Sequence, residues 1–577
     1  MKTPNSQLSL KQVRAVELHP DRILRALSQF GVVSIRTPPG VGKTYAAIRA
    51  AVTNWQGNEN AICVIATESK SKIRECSGDL IAQGVPPELI CTLTGLTVED
   101  CPHFEERQAD LKLGLIARAS ALCRECRTIC AQKEVKGKLK NAPFGKFILT
   151  THHYLLRSQF LKGFLKNHRV LIIIDEDAVF LPIEGVTYQE LSFTDIRTIA
   201  DKLISCDYEN LRMTGTAAEM AILNLQIPRN FIAPSLSEEQ FLLENNIRNI
   251  YPEIETIMTQ KLIPFDRRYR FSQGIPRYDN QMLIAAVAVP PRFISKRLGG
   301  VNVHEICLND LPLPPGTAIT RVRTPMTSIC RFHGSNLDRV AFSFAWLISD
   351  RHKKGLRGVV VCKKQVQKEV IAKINQDLEL LSSEARLVRV PDHDGDSPDM
   401  IPVLTFGVKA LNAFTHFDYA FCVNSFNTTE QILTTHLDFY YDFRCHYKVR
   451  LNEEHGVRTI GTNIPAEERS VAQELLHLYE TTTIVQAIGR IRPFTLPGKE
   501  VIIMQKSPVH SGETVLGSYK EFSRQYHIPG KNSFLRDIAG EKVHSLAGQG
   551  FGKTAIAEVL NISRQSVYNH LNKGGVN

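Results

Sequence analysis

The segment GVVSIRTPPGVGKTYAAIRA, residues 31–50, limits the possible fold more than any other part of the chain. The apolar run Val32 to Arg36 reads as a buried strand, Thr37 to Thr44 as a Gly/Pro turn, and the alanine-rich stretch after it as a helix. That order belongs to a parallel α/β sheet, with the turn at the C-terminal edge where ligands collect. Gly40 and Gly42 carry no Cβ, so the backbone there can close around phosphate oxygens. Pro39, Gly40, Val41, Gly42, Lys43 and Thr44 therefore form a candidate ATP-phosphate loop. Lys43 would neutralise the β- and γ-phosphates and Thr44 would ligate Mg²⁺, at the positive end of the following helix.

A second stretch, AGQGFGKT at 547–554, carries similar letters. It follows helical rather than strand sequence. Only 23 residues remain after Thr554, too few for a Mg²⁺-binding acidic strand downstream.

Such a strand does follow the first loop. VLIIIDEDAVF, residues 170–180, is an apolar run that delivers Asp175 and Glu176 to the sheet edge. Asp175 would hold Mg²⁺ through water, and Glu176 would orient or deprotonate the attacking water. Further strands are expected at Ala61 to Ala66, Lys146 to Thr150 and Val170 to Ile174. A second α/β block has strands at Gly358 to Cys362, Pro402 to Thr405, Tyr419 to Val423 and Val501 to Gln505. Late in that block stands TTIVQAIGRIRPF, residues 482–494, with Gln486, Arg490 and Arg492. Arginines from one block facing Lys43 from the other would let ATP close a cleft between them.

A chain of 577 residues exceeds one core and calls for several units. We expect a first domain over 1–320, holding a Cys-bearing insertion at 91–145 and a helical insertion at 181–280. A second domain is expected over 321–506, a linker over 507–538 and a small helical module over 539–577. The helical reading of the second insertion rests on Ile196, Ile199, Ala200 and Leu203, and on the capping-box spacing of Ser237 and Gln240. The formal charge of +11 favours a polyanionic partner such as nucleic acid, though a merely basic soluble protein has the same balance. The apolar run Met282 to Val289 is too short to span a bilayer and MKTPNSQLSL has no secretion-signal core, so the expected location is the cytoplasm. Most of the 13 cysteines, Cys63, Cys362 and Cys422 among them, sit in apolar strand-like segments as buried thiols. Cys101, Cys123, Cys126 and Cys130 differ, with 21, 2 and 3 residues between successive thiols, a set able to wrap one tetrahedral metal or one cubane cluster. Cys91 is a possible substitute for Cys101.

Between residues 30 and 506 the ordered motifs resemble a superfamily 2 helicase, and more narrowly its iron-sulfur branch, which holds the xeroderma pigmentosum group D and DinG helicases. ICVIATES at 62–69, with Thr67, sits like motif Ia. VVVCKKQ at 359–365 sits like motif IV, and LTFGVKALNAF at 404–414 resembles motif V through Thr405, Gly407 and Asn412. Gln486, Arg490 and Arg492 resemble motif VI. The resemblance implies two RecA-like domains, the second insertion as an arch, ATP and Mg²⁺ as cofactors, and 5′ to 3′ movement on single-stranded DNA touched by Thr67, Thr405 and Asn412. It also implies a 4Fe-4S cluster on the four cysteines, with zinc as the alternative. Some residues depart from the pattern. Motif II reads DEDA, leaving Ala178 where a coupling side chain usually stands, IAAVAVPPRF at 284–293 has no Ser-Ala-Thr, and Arg492 follows Arg490 by two residues rather than three. These departures keep open a DNA-binding regulator with a degenerate motor, and an RNA helicase.

The C-terminal EKVHSLAGQGFGKTAIAEVLNISRQSVYNHLNKGG reads as helix, turn, helix with an apolar core of Ile556, Ala557, Leu560, Ile562, Val567 and Leu571. It resembles the helix-turn-helix of resolvases and invertases, which suggests a mobile-element origin. Ser563 would cap the second helix and turn Arg564, Gln565, Ser566 and Tyr568 toward a duplex major groove. A protein-docking module is the other reading.

Overall fold

The computed structural model describes residues 10–99, 101–112, 126, 128, 130–183, 187–192, 263–265, 268–272, 275, 281–328, 330–390, 397–406, 414–441, 449–454, 457–461, 464 and 466–573. In chain order the first strands are Val32–Arg36 (β1), Ile62–Thr67 (β2), Ile90–Leu93 (β3), Phe147–Thr151 (β4) and Val170–Asp175 (β5). Tyr188–Ser192 (β6), Ile263–Phe265 (β7), Arg268–Ser272 (β8), Gln281–Ala286 (β9) and His304–Cys307 (β10) follow. Seven of these form one parallel sheet in the order β10-β1-β9-β5-β2-β4-β3. The central strands β2 and β5 are buried along their whole length, which is why their sequences run apolar without alternation. The helix Lys43–Gly57 turns Ala46, Ala47, Ala50 and Ala51 to the sheet, small side chains that let it lie close.

The second sheet takes Ala318–Val322 (β11), Gly358–Cys362 (β12), Arg386–Arg389 (β13), Met400–Thr405 (β14) and Tyr419–Cys422 (β15). After a hairpin of Leu451–Glu454 (β16) and Val457–Ile460 (β17) it adds Glu500–Ile503 (β18) and Thr514–Leu516 (β19). It too has seven parallel strands, in the order β13-β14-β12-β15-β18-β11-β19. Two parallel α/β domains thus stand where two were expected.

Three boundaries move. β11 begins at Ala318 and pairs with β18 and β19, so the second domain starts before residue 321. The stretch read as a linker contains the edge strand β19 and the helix Tyr519–Gln525, whose Phe522 is fully buried in the second domain's core. Its turn residues Gly512, Gly517 and Pro529 mark short loops between packed elements. The next helix, Lys531–Gly548, begins inside the same stretch and docks through Phe534, 5.7 Å from both Phe342 and Trp346. At the other end, β3 occupies the start of the Cys-bearing insertion, and Cys91 is a buried strand residue whose thiol burial raises above the usual value.

Of the 181–280 insertion, the described residues form a three-stranded antiparallel sheet, β6-β8-β7. Ile196, Ile199, Ala200, Leu203, Ser237 and Gln240 lie outside the described residues. The C-terminal module has three helices, Lys531–Gly548, Lys553–Val559 and Arg564–Lys573. They close around Val543, Ile556, Ala557 and Val567, with Leu560, Ile562 and Leu571 against them. Among the described residues no helix is long and apolar enough to cross a membrane.

Candidate nucleotide-binding cleft

The phosphate loop leaves β1 at its C-terminal end and turns on Gly40 (φ +91°) and Gly42 (φ +102°), left-handed positions that glycine adopts without strain. β5 lies two strands away, across β9, and brings Asp175 up to the loop. Thr44 Oγ1 donates to Asp175 Oδ1 at 2.6 Å, and Lys43 Nζ lies 3.6 Å from Glu176 Oε2. From the second domain, Gln486 Nε2 donates to the same Glu176 oxygen at 3.3 Å. Gln486 comes from the last turn of the helix Ala466–Ile488, Arg490 from the 3-10 turn Gly489–Ile491 that follows, and Arg492 is the residue that caps that turn. A cavity of about 470 Å³ lies between the domains, walled by Gly40, Lys43, Thr44, Asp175, Glu176 and Lys72 on one side and Gln486, Gly489, Arg490 and Arg492 on the other. The sequence-predicted catalytic residues are therefore brought together.

The approach is close. A Cβ on Gly40 would stand 2.8 Å from Arg492 Cδ, and one on Gly489 would stand 2.6 Å from Pro39 Cβ. Both glycines are needed for the walls to meet at this distance.

The electrostatics follow from the crowding. Burial lowers the pKa of the Lys43 ammonium, but Glu176, Asp177 and Asp175 outweigh it and hold the group above its usual value, firmly charged. Asp175, fully buried beside Glu176, is pushed up to about 7. Burial pulls Arg490 and Arg492 below the usual guanidinium value, with Glu176 partly offsetting it at the first and Glu75 at the second. Asp175 Oδ2 is buried with no hydrogen-bond partner. A carboxylate with one oxygen on Thr44 and the other unmatched fits a divalent cation, which would supply the missing positive charge and bridge to phosphate oxygens.

Two participants carry no sequence signal. Arg14, from the helix Leu10–Glu17, donates from Nη2 to the Gly40 carbonyl at 2.5 Å. Its pKa is lowered by burial and by Arg492. Asp177, the third of the successive acids Asp175, Glu176 and Asp177, accepts from the Ala288 N–H at 2.6 Å and the Val289 N–H at 3.3 Å. Ala178 is buried beside it.

The other predicted contacts scatter. Thr67 is fully buried and donates its hydroxyl to the Ser69 carbonyl, so it presents no hydroxyl to a nucleic-acid strand. Thr405 ends β14 beside Cys362. Asn412 and Gly407 lie outside the described residues, as does Cys123. Cys101 is buried with Arg107 Nη1 3.7 Å from its sulfur, and Cys130 caps the helix Ala131–Asn141. Hydrogen bonds to Thr128 lower the Cys126 thiol, the direction a thiolate ligand needs. Among the described residues no three His, Cys, Asp or Glu side chains converge on a metal position. In the tail, Ser563 Oγ accepts from the Ser566 N–H at 3.1 Å, Arg564 and Gln565 are exposed, and Tyr568 lies under Lys553 at 4.9 Å.

No protein-family model matches the sequence, and no curated protein sequence matches it. Solved structures to which the chain is similar include an apo XPD structure and an XPD helicase structure, each at 12% identity, with TM-scores of 0.46 and 0.47. They span 84% and 86% of this chain and 95% of each of theirs. The DUF1998 helicase MrfA bound to DNA is similar over 77% of this chain and 47% of its own, at 10% identity and a TM-score of 0.34. Dbp5 of S. cerevisiae, bound to RNA and ADP BeF3, is similar over 91% of both chains at 9% identity and a TM-score of 0.35.

Proposed function

We propose that this protein is an ATP-hydrolysing motor that moves on single-stranded DNA in the 5′ to 3′ direction. One observation carries the hydrolysis: Lys43, Thr44, Asp175 and Glu176 of the first domain face Gln486, Arg490 and Arg492 of the second across a single cavity. ATP·Mg²⁺ in that cavity would be cradled by the loop, held through Thr44 and Asp175, and met by two arginines that only a closed cleft brings near. Glu176, which accepts from Gln486, would orient a water. Because the arginines and the loop belong to different domains, hydrolysis releases what holds the domains together, which is a mechanical stroke. DNA as the track rests on the basic charge and on the C-terminal module, whose exposed Arg564, Gln565 and Tyr568 suit a duplex groove and would tether the motor. The four cysteines would hold a 4Fe-4S cluster or zinc, and visible absorption with iron and zinc analysis of the purified protein decides between them.

ATP turnover with and without single-stranded DNA tests the reading. Stimulated turnover that Lys43→Ala abolishes is expected; turnover indifferent to Lys43 would sink it. A second reading, a DNA-bound regulator that binds ATP without unwinding, is favoured by Ala178 in place of a polar coupling residue. ATP-driven displacement of 5′-tailed but not 3′-tailed duplexes would exclude it and fix the polarity. Comparing RNA with DNA strands in the turnover assay separates an RNA motor.

A further inference from the structure

The short turn that follows β5 is fastened at both ends. At its start, Asp177 is 4% exposed and accepts from two successive backbone N–H groups, Ala288 at 2.6 Å and Val289 at 3.3 Å. Those residues lead through Pro290 straight into the helix Pro291–Arg297. At its end, the Phe180 carbonyl accepts from Tyr440 Oη, 2.5 Å away, and Tyr440 belongs to the helix Glu430–Tyr440 of the second domain. The triangle closes through packing. Phe293 of the first helix meets the Tyr440 ring at 4.8 Å, and Arg297 lies over Phe439 at 4.3 Å. These side chains share one core with Val179, Phe180, Leu437 and Leu475, so the apolar layer crosses from one domain to the other.

We propose that Asp177 and Tyr440 are positioning residues of a relay that reports the state of the nucleotide cleft to the second domain, through the Ala288–Val289 loop and the helix Pro291–Arg297. This rests on the motor reading above. The physical reason lies in the crowding around Lys43. Asp177 Oδ2 is buried with no hydrogen-bond partner, and the positive charge of Lys43 offsets the carboxylate's burial only in part. Lys43 is the cation that a bound triphosphate would claim. Its engagement changes the field on Asp177 and hence the hold on Ala288 and Val289, while Tyr440 ties the far end of the same turn to the moving domain. Asp177 thus provides from its own position, with backbone amides as partners, a link that needs no polar side chain at 178 and no hydroxyl in the 284–293 segment.

Hydrogen exchange of the full chain with and without Mg²⁺·ATPγS tests the relay. In the wild type, nucleotide is expected to slow exchange both in the loop 37–44 and in 288–297 and 430–440. Tyr440→Phe, which removes one hydroxyl and should fold normally, is expected to keep the loop response and lose that at 430–440. Asp177→Ala should lose the response at 288–297, and Asp177→Asn, which keeps an acceptor for the Ala288 N–H but removes the charge on which Lys43 acts, should lose it too. Wild-type responses at 288–297 in Asp177→Ala and at 430–440 in Tyr440→Phe would overturn the relay while leaving the motor intact. No response in the wild-type loop 37–44 would overturn the nucleotide site, and the relay with it.

Discussion

Gly489 gives the sharpest test that the cleft works by closing. It opens the 3-10 turn that carries Arg490, and its backbone lies outside the left-handed region, so alanine meets no local strain there. The added Cβ would instead stand 2.6 Å from Pro39 Cβ and 2.7 Å from Cγ, across the domain boundary. Carbon atoms rest at about 3.5–4.0 Å, so the walls must part by about 1 Å. Neither side can swing aside, because Pro39 is a ring and Gly489 is buried. Overpacking of this kind costs about 1–3 kcal/mol, charged here to the closed state alone, and shifts the balance toward the open cleft by about 5- to 150-fold. A retreat of about 1 Å by Arg490 and Arg492 is also the scale at which turnover drops about 10²-fold. Gly489→Ala should therefore lower kcat for ATP about 100-fold in steady-state assays with saturating single-stranded DNA. Nucleotide binding to the intact loop and the thermal midpoint should stay near wild type. Wild-type turnover would refute the closure argument, and a matching loss of thermal stability would show that Gly489 serves folding rather than closure.

Further perturbations test other parts of the structure. Phe522→Ala should destabilise the second domain by about 3–5 kcal/mol in urea unfolding, since the ring is fully buried; a near-neutral result would restore the linker reading of 507–538. His436 is buried with its pKa pushed down to about 3, so the fold holds it neutral and gives up stability as the pH falls from about 6.5 toward that value, at about 1.4 kcal/mol per unit. His436→Leu should flatten that part of an acid unfolding curve. Arg564→Ala should weaken duplex binding by about 1–3 kcal/mol with little effect on turnover driven by single strands, measured by titration at fixed salt; equal loss of both would place duplex and strand on one surface.

The parts of the fold legible in the sequence were those where one physical demand dominates. β1, β2, β4 and β5 are mostly apolar because both sheet faces are covered, and the two glycines of the loop mark a turn only they can make. β3, β10, β13 and β19 carry little strand signal because edge strands are short and partly exposed, so their sequences carry polar residues. The two GKT stretches show what letters alone miss. Gly550, with φ +86°, ends the helix Lys531–Gly548 and Gly552 starts the next, so the second stretch turns one helix into another with no strand behind it. Arg14 and Asp177 were illegible for a different reason: both act on backbone atoms, and a carbonyl or an amide leaves no side-chain pattern to match.

Strain offers a last test of the cleft. Glu176 has φ +72° and ψ 165°, a region that only glycine enters freely, and its N–H is held by the Ala286 carbonyl at 3.1 Å. Such a conformation costs about 1–3 kcal/mol. What it achieves is placement, with the carboxylate reaching Lys43 and Gln486 together. Glu176→Ala removes the carboxylate and keeps the strain, whereas Glu176→Gly removes both. Glycine's looser unfolded chain subtracts about 0.4–1 kcal/mol from its gain. The glycine variant should then be the more stable of the two by about 0.5–2 kcal/mol in thermal or urea unfolding, and both should lack ATP turnover. If alanine proves equal or better, the backbone at 176 is not strained in solution, and the turn is held by Asp177 and Tyr440 without opposing a local preference.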